Sequence, residues 1–522
     1  MRKSVKPFFV AVAAAVLCGC ATSEDRPVVD PVKADKSIVI LYENDVHCGI
    51  DGYTRLAGLR DAIQRSDTAY TAAVCCGDFI QGGTPGAISR GQYIIDIMRH
   101  VGYQAVTIGN HEFDYGVPRM KELLAKVNAP VVCANFYDAG ASEPYFPSYV
   151  IHQIGDKRIA FVGAVTPETM ILENYAFYDD HDQQICTLKP GEFYGLVQQA
   201  VDQARSEGAD YVVLVSHVGE ETQSMGFDSH RLIAATRGID VVLDGHSHNV
   251  IPHDEVANLD GRSIGITQTG TLFANVGKLL IKDGHFSTSL IPCNEIPYEN
   301  AKVTAATDSV KAVMAATMDR VVCTSKYLLE ALDQTGYAVA RLRETNAGDL
   351  VADAYRTMMG ADLSLENAGA LRASIAAGNV TYGHVTALSP YSQHVCMIEA
   401  TGAQIVEALR QSTASLPAPS GNFPQCSGLK YTIHTVSHSV SDVLVLEGDS
   451  YVPVDPDKTY TVALTAFYKG GGFNNVFKKC RLLKTSTGLT RDVITKFFEE
   501  NLGGVIPPVY AKPQGRITIL AD

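Results

Sequence analysis

Short apolar runs alternate with segments of helical period from residue 37 onward. The runs are SIVILYEN, TAAVCCGD, AVTIGN, APVVCAN, RIAFVGAV, YVVLVSH and IDVVLDGHSH. Between two of them, RGQYIIDIMRHVG places Ile94, Ile97, Met98 and Val101 on one face of a helix. Continuous β-branched runs between amphipathic helices are typical of parallel strands that are buried on both faces. The pattern predicts a layered α/β domain over residues 37–298.

A second α/β domain is predicted over residues 325–522. It contains helix-like GDLVADAYRTMMG and TGAQIVEALRQS and strand-like ADLSLENAG and TYTVALTAFY. Before it, ENAKVTAATDSVKAVMAATMDR has the period of one amphipathic helix with a mostly polar surface, so residues 299–324 are predicted to be a linker helix. Two domains also suit a chain of 522 residues, which is too long for one hydrophobic core.

The first twenty residues have the features of a targeting segment. A basic start is followed by an apolar core, Phe8 to Leu17, that is too short to cross a bilayer. The core ends in LCGC, which resembles a bacterial lipobox with Cys20 as the lipidated residue; an ordinary cleaved signal peptide is the alternative. We expect a signal peptide over residues 1–20, a polar tether over residues 21–36, and an exported lipoprotein facing the periplasm or the cell surface. Nothing in the sequence indicates the oligomeric state.

The net charge limits the possible binding partners, and the cysteines allow two interpretations. The net charge is −14, and removal of residues 1–20 makes it more negative because that segment has three basic and no acidic residues. Such a chain repels nucleic-acid polymers, so we expect none as partners. The ten cysteines after Cys20 contain no CxxC pair. Disulfides after export and small buried thiols both remain open for them.

Polar side chains follow the apolar runs at one recurring position. They are Asp45 and His47, Asp78, Asn110 and His111, His217, and His246 and His248. Singly, each would be read as a helix cap, a turn residue or a packed histidine. The C-terminal ends of parallel strands share one edge of a sheet, so these groups from five strand ends are predicted to converge there.

Imidazole, carboxylate and amide oxygen together suit a divalent ion such as Zn²⁺, Mn²⁺, Fe²⁺ or Co²⁺. The candidate ligands are too many for one tetrahedral site. A carboxylate that bridges two ions, roughly 3.5–4 Å apart, would account for their number, and such pairs serve in phosphoryl displacement. Two divalent ions against two aspartates would leave local positive charge that attracts phosphate.

The motifs ENDVHC, CCGDFIQGG, GNHEFDYG, VSHVGEE and DGHSH resemble, in order, those of the calcineurin-like metallophosphoesterases. The C-terminal half is similar to the 5′-nucleotidase family, which includes bacterial UDP-sugar hydrolases. The resemblance implies a four-layer α/β-β/α catalytic domain followed by a C-terminal α/β substrate-binding domain. It implies one metal on Asp45, His47, Asp78 and His248, and a second on Asp78, Asn110, His217 and His246.

The same resemblance makes His111 and Asp114 a catalytic pair. His111 would stabilise charge on the phosphoryl oxygens or leaving group. Asp114 would orient the imidazole, as a carboxylate three residues away can. Glu112 is expected to face solvent or to have only a supporting role. Cys48 stands where the family usually has glycine; it is expected to fill space, although its thiolate could reach a metal.

Five substrate-binding residues are carried over from the C-terminal motifs. RETNAGDLVADAYR, ENAGALRASI, LSPYSQHV and TAFYKGGGF supply them; they are Arg343, Asn367, Arg372, Tyr391 and Phe467. The arginines suit phosphate, and the two rings would sandwich a nucleobase. KGGGFNN departs from the family's Gly-Gly-Asp-Gly, which puts the base or ribose contacts in doubt.

The sequence therefore predicts a two-metal phosphohydrolase that cleaves nucleoside 5′-monophosphates, and also UDP-sugars or cyclic nucleotides as further substrates. A substrate that contacts both domains implies a hinge near residues 300–325. Two alternatives stay open. One is a metallophosphoesterase or sulfur-ester hydrolase with a non-nucleotide substrate. The other is a catalytically silent nucleotide-binding lipoprotein.

Overall fold

The computed structural model describes residues 36–179, 183–220, 226–391, 393–472 and 475–521. The predicted signal peptide, its lipobox and nearly all of the tether lie outside these ranges. Among the residues described, no helix combines the length and apolarity needed to span a bilayer. The chain folds into two α/β domains with a helix between them.

The N-terminal domain contains two β-sheets with helices on their outer faces. Its strands are β1 (Ser37–Glu43), β2 (Ala69–Cys75), β3 (Ala105–Val106), β4 (Tyr137–Asp138), β5 (Tyr149–Ile154), β6 (Lys157–Val165), β7 (Cys186–Thr187), β8 (Tyr211–His217), β9 (Val241–Leu243), β10 (Val250–Ala257), β11 (Ser263–Thr269), β12 (Asn275–Lys282) and β13 (His285–Pro292). Its helices are α1 (Gly52–Ser66), α2 (Thr84–Ser89), α3 (Gln92–Met98), α4 (Val117–Leu124), α5 (Thr169–Leu172), α6 (Phe193–Ser206) and α7 (Ser229–Ala234).

Both large sheets are mixed rather than wholly parallel. One has the order β13-β12-β1-β2-β3 and the other β10-β11-β9-β8-β6-β5. The central strands pair in parallel, as predicted, whereas β12, β13, β5 and β10 pair antiparallel with their neighbours. These outer strands are joined by short turns, which only antiparallel pairing permits. The predicted strand APVVCAN forms only an isolated bridge between Val131 and Val106.

Three apolar layers hold this domain together as an α/β-β/α arrangement. Ile40, Val74, Phe161 and Val215 belong to the core between the two sheets. A second core lies between the first sheet and α1, α3, α4 and the linker helix. A third lies between the second sheet and helices α6 and α7. The four-layer prediction is therefore confirmed, and both sheets direct their central strand ends to one site.

The linker helix and the second domain complete the chain. Helix α8 (Ala301–Asp319) lies within the predicted linker and ends before the linker does, since a strand begins at Val321. The Asn300 side chain caps the helix by accepting from the backbone N–H groups of Lys302 and Val303. The second domain contains strands β14 (Val321–Ser325), β15 (Leu363–Asn367), β16 (Gly378–Thr381), β17 (His394–Thr401), β18 (Pro424–Ser427), β19 (Leu429–His434), β20 (Ser439–Glu447), β21 (Ser450–Pro453), β22 (Thr459–Thr465), β23 (Leu482–Leu489) and β24 (Ile517–Leu520). Its helices are α9 (Asn346–Met359), α10 (Tyr382–Leu388), α11 (Gly402–Thr413), α12 (Ala466–Lys469) and α13 (Thr490–Lys496).

The second domain is built around a five-stranded sheet of order β18-β15-β22-β17-β23, and a four-stranded sheet of order β21-β20-β19-β24 lies beside it. Helices α9, α10, α11 and α13 share one core with these strands. The ten cysteines of the described residues are all buried free thiols, so the thiol interpretation is supported over disulfides.

Candidate metal centre and substrate cleft

The predicted polar residues stand at the C-terminal ends of parallel strands from both sheets. Strand β1 pairs in parallel with β2, and β2 with β3; β6 pairs with β8, and β8 with β9. The loops that follow β1, β2, β3 and β9, together with the last residue of β8, carry the candidate ligands. The register therefore brings side chains that are two hundred residues apart in sequence to one place, as the strand-end argument predicts.

Four of these residues form one ligand group. Asp45, His47, Asp78 and His248 each present a ligand atom within 4.8 Å of the others. The Nε2 atoms of His47 and His248 are 2.9 Å apart, and the Nε2 of His248 lies 3.4 Å from the Oδ1 of Asp45. The Nε2 of His47 lies 3.8 Å from an oxygen of each aspartate. This is the set that the resemblance assigns to the first metal.

Of the remaining three candidate ligands, His217 lies against both aspartates, and His246 and Asn110 lie against each other. The Nε2 of His217 lies 3.1 Å from the Oδ2 of Asp78 and 3.6 Å from the Oδ1 of Asp45. The Nδ1 of His246 lies 2.9 Å from the Oδ1 of Asn110. The Oδ2 of Asp78 thus faces both groups, which is the position required of a bridging carboxylate.

These residues fit a pair of divalent ions. The Oδ1 of Asp45 and the Nε2 of His217 are buried and have no hydrogen-bond partner among the described residues. Such buried polar atoms are costly unless something binds them. The other ring nitrogens are held: Nδ1 of His217 by the carbonyl of Cys76 at 2.7 Å, and Nδ1 of His47 by that of Gln81 at 3.1 Å. Those contacts fix each ring with its Nε2 free to bind a metal.

The backbone at this centre adopts a sparsely populated conformation. Five of the seven ligands have positive φ, between 40° and 81°; they are Asp45, His47, Asp78, His246 and His248. Non-glycine residues in this region are uncommon, and such strain concentrates at functional sites. Gly77 at the end of β2 also has positive φ, and a Cβ there would lie 2.6 Å from the backbone nitrogen of Gly109. The ligand loops are therefore closely packed.

Burial and charge shift the pKa values of the ligands in opposite directions. Burial lowers the pKa of His217, but the facing carboxylates of Asp78 and Asp45 outweigh it and raise it to about 10. Burial raises the pKa of Asp78, but the surrounding histidines hold it well below its usual range. Burial and then the nearby His217 lower the pKa of His246 to about 4, which favours the neutral imidazole that binds metals.

His111 and Asp114 form the predicted pair beside the ligands. The Nδ1 of His111 lies 3.0 Å from the Oδ1 of Asp114. The backbone N–H of His111 donates to the Oδ1 of Asp78, so the histidine is tied to the candidate bridge. Burial lowers the pKa of His111, but Asp78 and then Asp114 raise it to about 10. In the metal-free protein these carboxylates favour the protonated imidazole, and Asp114 directs it.

Glu173 joins this pair, which the sequence did not predict. His111, Asp114 and Glu173 each have an atom within 4.8 Å of the others. Burial, followed by the charge of Asp114, raises the pKa of Glu173 to about 7. No local motif surrounds Glu173, since it follows the short helix α5 and reaches the pair only through the fold.

Two buried carboxylates beside the ligands have larger roles than the sequence indicates. Glu112, expected to face solvent or merely to support its neighbours, is fully buried and accepts hydrogen bonds from four backbone N–H groups. Asp244, in DGHSH, is fully buried and accepts from Ser216, Val218, Gly219, Ser229 and Gln268. Glu112 therefore accepts hydrogen bonds from the loops of the first sheet, and Asp244 accepts them from the loops of the second.

Cys48 fills space beside the centre. Its side chain is buried, its sulfur contacts the carbonyl oxygen of Phe79 at 3.7 Å, and a Cβ on Gly86 would lie 2.4 Å from that sulfur. Burial raises the pKa of the thiol to about 12. Both observations support the packing interpretation over a metal-binding thiolate.

A cleft of about 440 Å³ in the second domain contains four of the five predicted substrate residues. Asn367, Arg372, Tyr391 and Phe467 line it. The two rings are 47% and 44% exposed, which is unusual for aromatic side chains and leaves their faces accessible. Gln393 also lines the cleft, and its Oε1 accepts from the backbone N–H of Phe467 at 3.0 Å.

The fifth predicted residue, Arg343, does not line the cleft. Its Nη2 donates to the carboxylate of Glu330 at 2.7 Å. Arg341, two residues earlier, lines the cleft instead, and its Nε is buried with no partner among the described residues. The cleft wall thus contains Arg341 beside Arg372, while the substrate-binding role of Arg343 stays a prediction. The sequence places two arginines in RLRET, and only the path of the backbone decides between them.

Two family models match the chain. The model for calcineurin-like phosphoesterases matches residues 38–250, and that for the C-terminal domain of 5′-nucleotidases matches residues 321–479. The fold and the ligand cluster thus define a metal-dependent phosphoesterase that uses two divalent ions. The chain belongs to the 5′-nucleotidase family.

Individual relatives have low sequence identity to this chain, but they match most of its length. The 5′-nucleotidase of Bos taurus is 26% identical over 525 residues, which are 88% of this chain and 87% of that protein. The trifunctional nucleotide phosphoesterase protein YfkN of Bacillus subtilis (strain 168) is 26% identical over 476 residues, 83% of this chain but 32% of YfkN. The solved 5′-nucleotidase precursor of Thermus thermophilus has a TM-score of 0.55 at 23% identity, covering 93% of this chain and 100% of that one. That structural similarity shows the shared fold.

Proposed function

We propose that this protein is a two-metal phosphohydrolase that releases phosphate from nucleoside 5′-monophosphates. The observation that carries the proposal is the cluster of Asp45, His47, Asp78 and His248, with His217 against Asp78. The same chain has a cleft with two arginines and two exposed rings. The relatives named 5′-nucleotidase support the substrate class. UDP-sugars and cyclic nucleotides are further candidate substrates.

The ligands and the catalytic pair have separate tasks. When bound, two divalent ions would supply Lewis-acid activation of water and neutralise phosphoryl charge. The protonated His111, held by Asp114, would offset charge that develops on the phosphoryl oxygens or the leaving group. Groups positioned in advance in this way stabilise a transition state without reorganisation.

The cleft would recognise the nucleoside part. Tyr391 and Phe467 offer ring faces between which a base can stack, a contact worth about 1–3 kcal/mol per base in other proteins. Arg341 and Arg372 provide guanidinium groups for a phosphate or for base and sugar oxygens. A substrate that contacts both the cleft and the metal centre requires movement at the linker, so we place the hinge near residues 300–325.

A phosphoesterase or sulfur-ester hydrolase that does not recognise a base is the second candidate. The motif KGGGFNN motivates it because the aspartate of the usual Gly-Gly-Asp-Gly is missing. Phe473 and Asn474 of this motif lie outside the described residues. Since the set of seven ligands is complete, a silent binding protein is the weakest of the alternatives.

A substrate panel tests the proposal. The purified protein, loaded with Mn²⁺ or Co²⁺, is assayed for phosphate release from AMP and p-nitrophenyl phosphate, two phosphate monoesters with and without a nucleobase. It is also assayed for hydrolysis of UDP-glucose, whose pyrophosphate bond would give UMP and glucose 1-phosphate. We expect kcat/KM for AMP to exceed that for p-nitrophenyl phosphate by at least tenfold. Equal values would favour the second candidate, and no turnover of any substrate would favour the silent one.

Variants of the two rings show whether the cleft is responsible for that preference. Tyr391→Ala and Phe467→Ala each remove one stacking surface, so KM for AMP should rise by about five- to a hundredfold, as the loss of 1–3 kcal/mol implies. Turnover of p-nitrophenyl phosphate should be unchanged. Tyr145→Ala removes an exposed ring of the first domain and is the matched control.

We also propose that the chain is an exported lipoprotein attached at Cys20. The basic start, short apolar core and LCGC motif support this, although they lie outside the described residues. The tether would then hold a catalytic domain that begins near residue 37 at the membrane surface.

A further inference from the structure

Glu112 is the one charged residue of GNHEFDYG to which neither metal binding nor the catalytic pair assigns a task. It is fully buried, so it cannot touch a substrate. Its Oε2 accepts from the backbone N–H of Asp78 at 2.8 Å and of Gly109 at 2.6 Å. Its Oε1 accepts from Phe79 at 2.9 Å and from Ile80 at 3.3 Å. One carboxylate therefore joins two loops.

Both of these loops carry metal ligands, and strand pairing does not connect them. Strands β2 and β3 pair only at Val74 with Ala105 and at Cys75 with Val106. The last ladder-like bond runs from the N–H of Thr107 to the carbonyl of Cys75. Beyond it, Asp78 and Asn110 stand on separate loops. The contacts between these loops come from the carboxylate of Glu112 and from the N–H of His111, which donates to Asp78.

The two loops approach each other so closely that small shifts would matter. A Cβ at Gly109 would lie 2.1 Å from the Oδ1 of Asp78. Asp78 also has a strained backbone with φ of 61°. A strained ligand keeps its position only where surrounding contacts determine it. The four N–H groups on Glu112 are such contacts, since one buried carboxylate accepts all of them.

We propose that Glu112 is a positioning residue that fixes the bridging Asp78 relative to Asn110 before any metal binds. The carboxylate sets the separation of two ligand loops, and this preorganisation raises the affinity of the centre for divalent ions. Partners that orient metal ligands from outside the coordination sphere typically contribute 10–100-fold to metal affinity.

The variant Glu112→Gln tests the role with almost no change in volume. Whichever way the Gln amide is oriented, its NH₂ group faces two backbone N–H donors that it cannot accept from. Two of the four N–H groups thereby lose their acceptor, so the connection between the two loops is weakened. We expect the full chain to bind Co²⁺ 10–100-fold more weakly in a titration followed by metal analysis. The visible absorption spectrum of the bound Co²⁺ should also change, because the ligand geometry changes.

Glu344→Gln is the matched control. Glu344 is a buried carboxylate of the second domain that accepts from the backbone N–H groups of Arg516 and Ile517 at 2.8 and 2.9 Å. Both bonds end on its Oε2, so the Gln oxygen can keep them, and Co²⁺ affinity and spectrum should be unchanged. If Glu112→Gln lowers stability alone, with wild-type Co²⁺ affinity and spectrum, Glu112 is merely a structural residue and the proposal is overturned.

A measurement on the wild-type protein covers the case in which the variant does not fold. After chelation of metals, hydrogen exchange is followed at the amides of Asp78, Phe79, Ile80 and Gly109. These amides should stay protected without metal because Glu112 accepts from them. Exchange as fast as that of exposed loop amides would mean that the loops are ordered only by metal, and the proposal would fail.

Discussion

At the scale of the residue, the site depends on pairs of groups that set each other's charge. Asp78 faces three histidines from three different strand ends, and its pKa is held low by them. His111 has a raised pKa because two carboxylates oppose the effect of burial. Neighbours that move pKa values apart in this way are typical of catalytic sites.

The variant Asp114→Asn tests this pairing through the pH profile. The pKa of His111 is raised to about 10, so its protonated form is favoured up to that pH and is lost above it. Removing the Asp114 carboxylate lowers this pKa. The alkaline limb of kcat should therefore move to lower pH, measured with AMP between pH 6 and 10. The variant should also lose folding stability: the loss is full below the ordinary histidine pKa and shrinks as the pH rises towards 10, where the wild-type imidazole itself loses its proton.

His111→Ala provides the comparison for that profile. It should lower kcat by about 10²–10⁴ because a positioned proton donor is lost, while metal content stays at the wild-type level. An alkaline limb in Asp114→Asn at the wild-type pH would show that another group controls the profile. Unchanged turnover in His111→Ala would remove that residue from the chemistry.

At the scale of the element, both sheets hold their ligand loops with the same kind of contact, a buried carboxylate. Each sheet ends in loops that carry ligands, and each pair of loops is held by a buried carboxylate that binds no metal. Glu112 does this beyond β2 and β3, and Asp244 does it beyond β8 and β9. Strand pairing ends before these loops begin, so side chains must supply the missing hydrogen bonds.

The variant Asp244→Asn tests the buried carboxylate that holds the loops of the second sheet. The Asn amide would place an NH₂ group against donors such as the N–H of Val218 or Gly219. A buried donor left unsatisfied costs about 1–3 kcal/mol, and we expect a loss of this size in urea unfolding of the metal-free protein. Ser229→Ala, which removes one of five donors to Asp244, should cost clearly less. Equal losses would show that Asp244 does not hold the loop as a unit.

At the scale of the whole molecule, helix α8 connects two domains that have separate tasks. Val303 and Val310 are buried against the first domain, while Met318 packs on the core of the second. The metal centre and the cleft are thus built on separate cores that one helix connects. This division suits an enzyme whose chemistry is constant and whose substrate recognition varies.

Attachment of the molecule to a membrane is tested with Cys20→Ser. In a bacterial host that processes lipoproteins, the wild-type chain should partition into the detergent phase of Triton X-114. The variant should enter the aqueous phase with the same specific activity, because residue 20 precedes the catalytic domain. Mass spectrometry of the N-terminal peptide should show acylated Cys20 in the wild type. Recovery of both forms in the aqueous phase would contradict the anchor.

Local pattern was sufficient for much of the fold and for the polar residues that meet at the strand ends. Strand-end residues such as Asp78 and His217 could be predicted because a strand's C-terminal end is visible in the sequence and parallel strands share an edge. The helices α3, α6 and α9 follow from their apolar period. The antiparallel outer strands were missed because hydrophobic runs do not reveal strand direction.

Only the tertiary structure shows which residues, distant in sequence, contact one another at the site. Glu112 has its loop partners up to 34 residues away, Asp244 has Ser216 28 residues away, and Glu173 reaches His111 from another loop. The choice between Arg341 and Arg343 depends on which side of the backbone faces the cleft. The sequence by itself determined the chemistry of the centre, since ligand types at strand ends are a local property. The tertiary structure decided which residues hold those ligands in place, because hydrogen bonds between loops exist only once the loops are brought together.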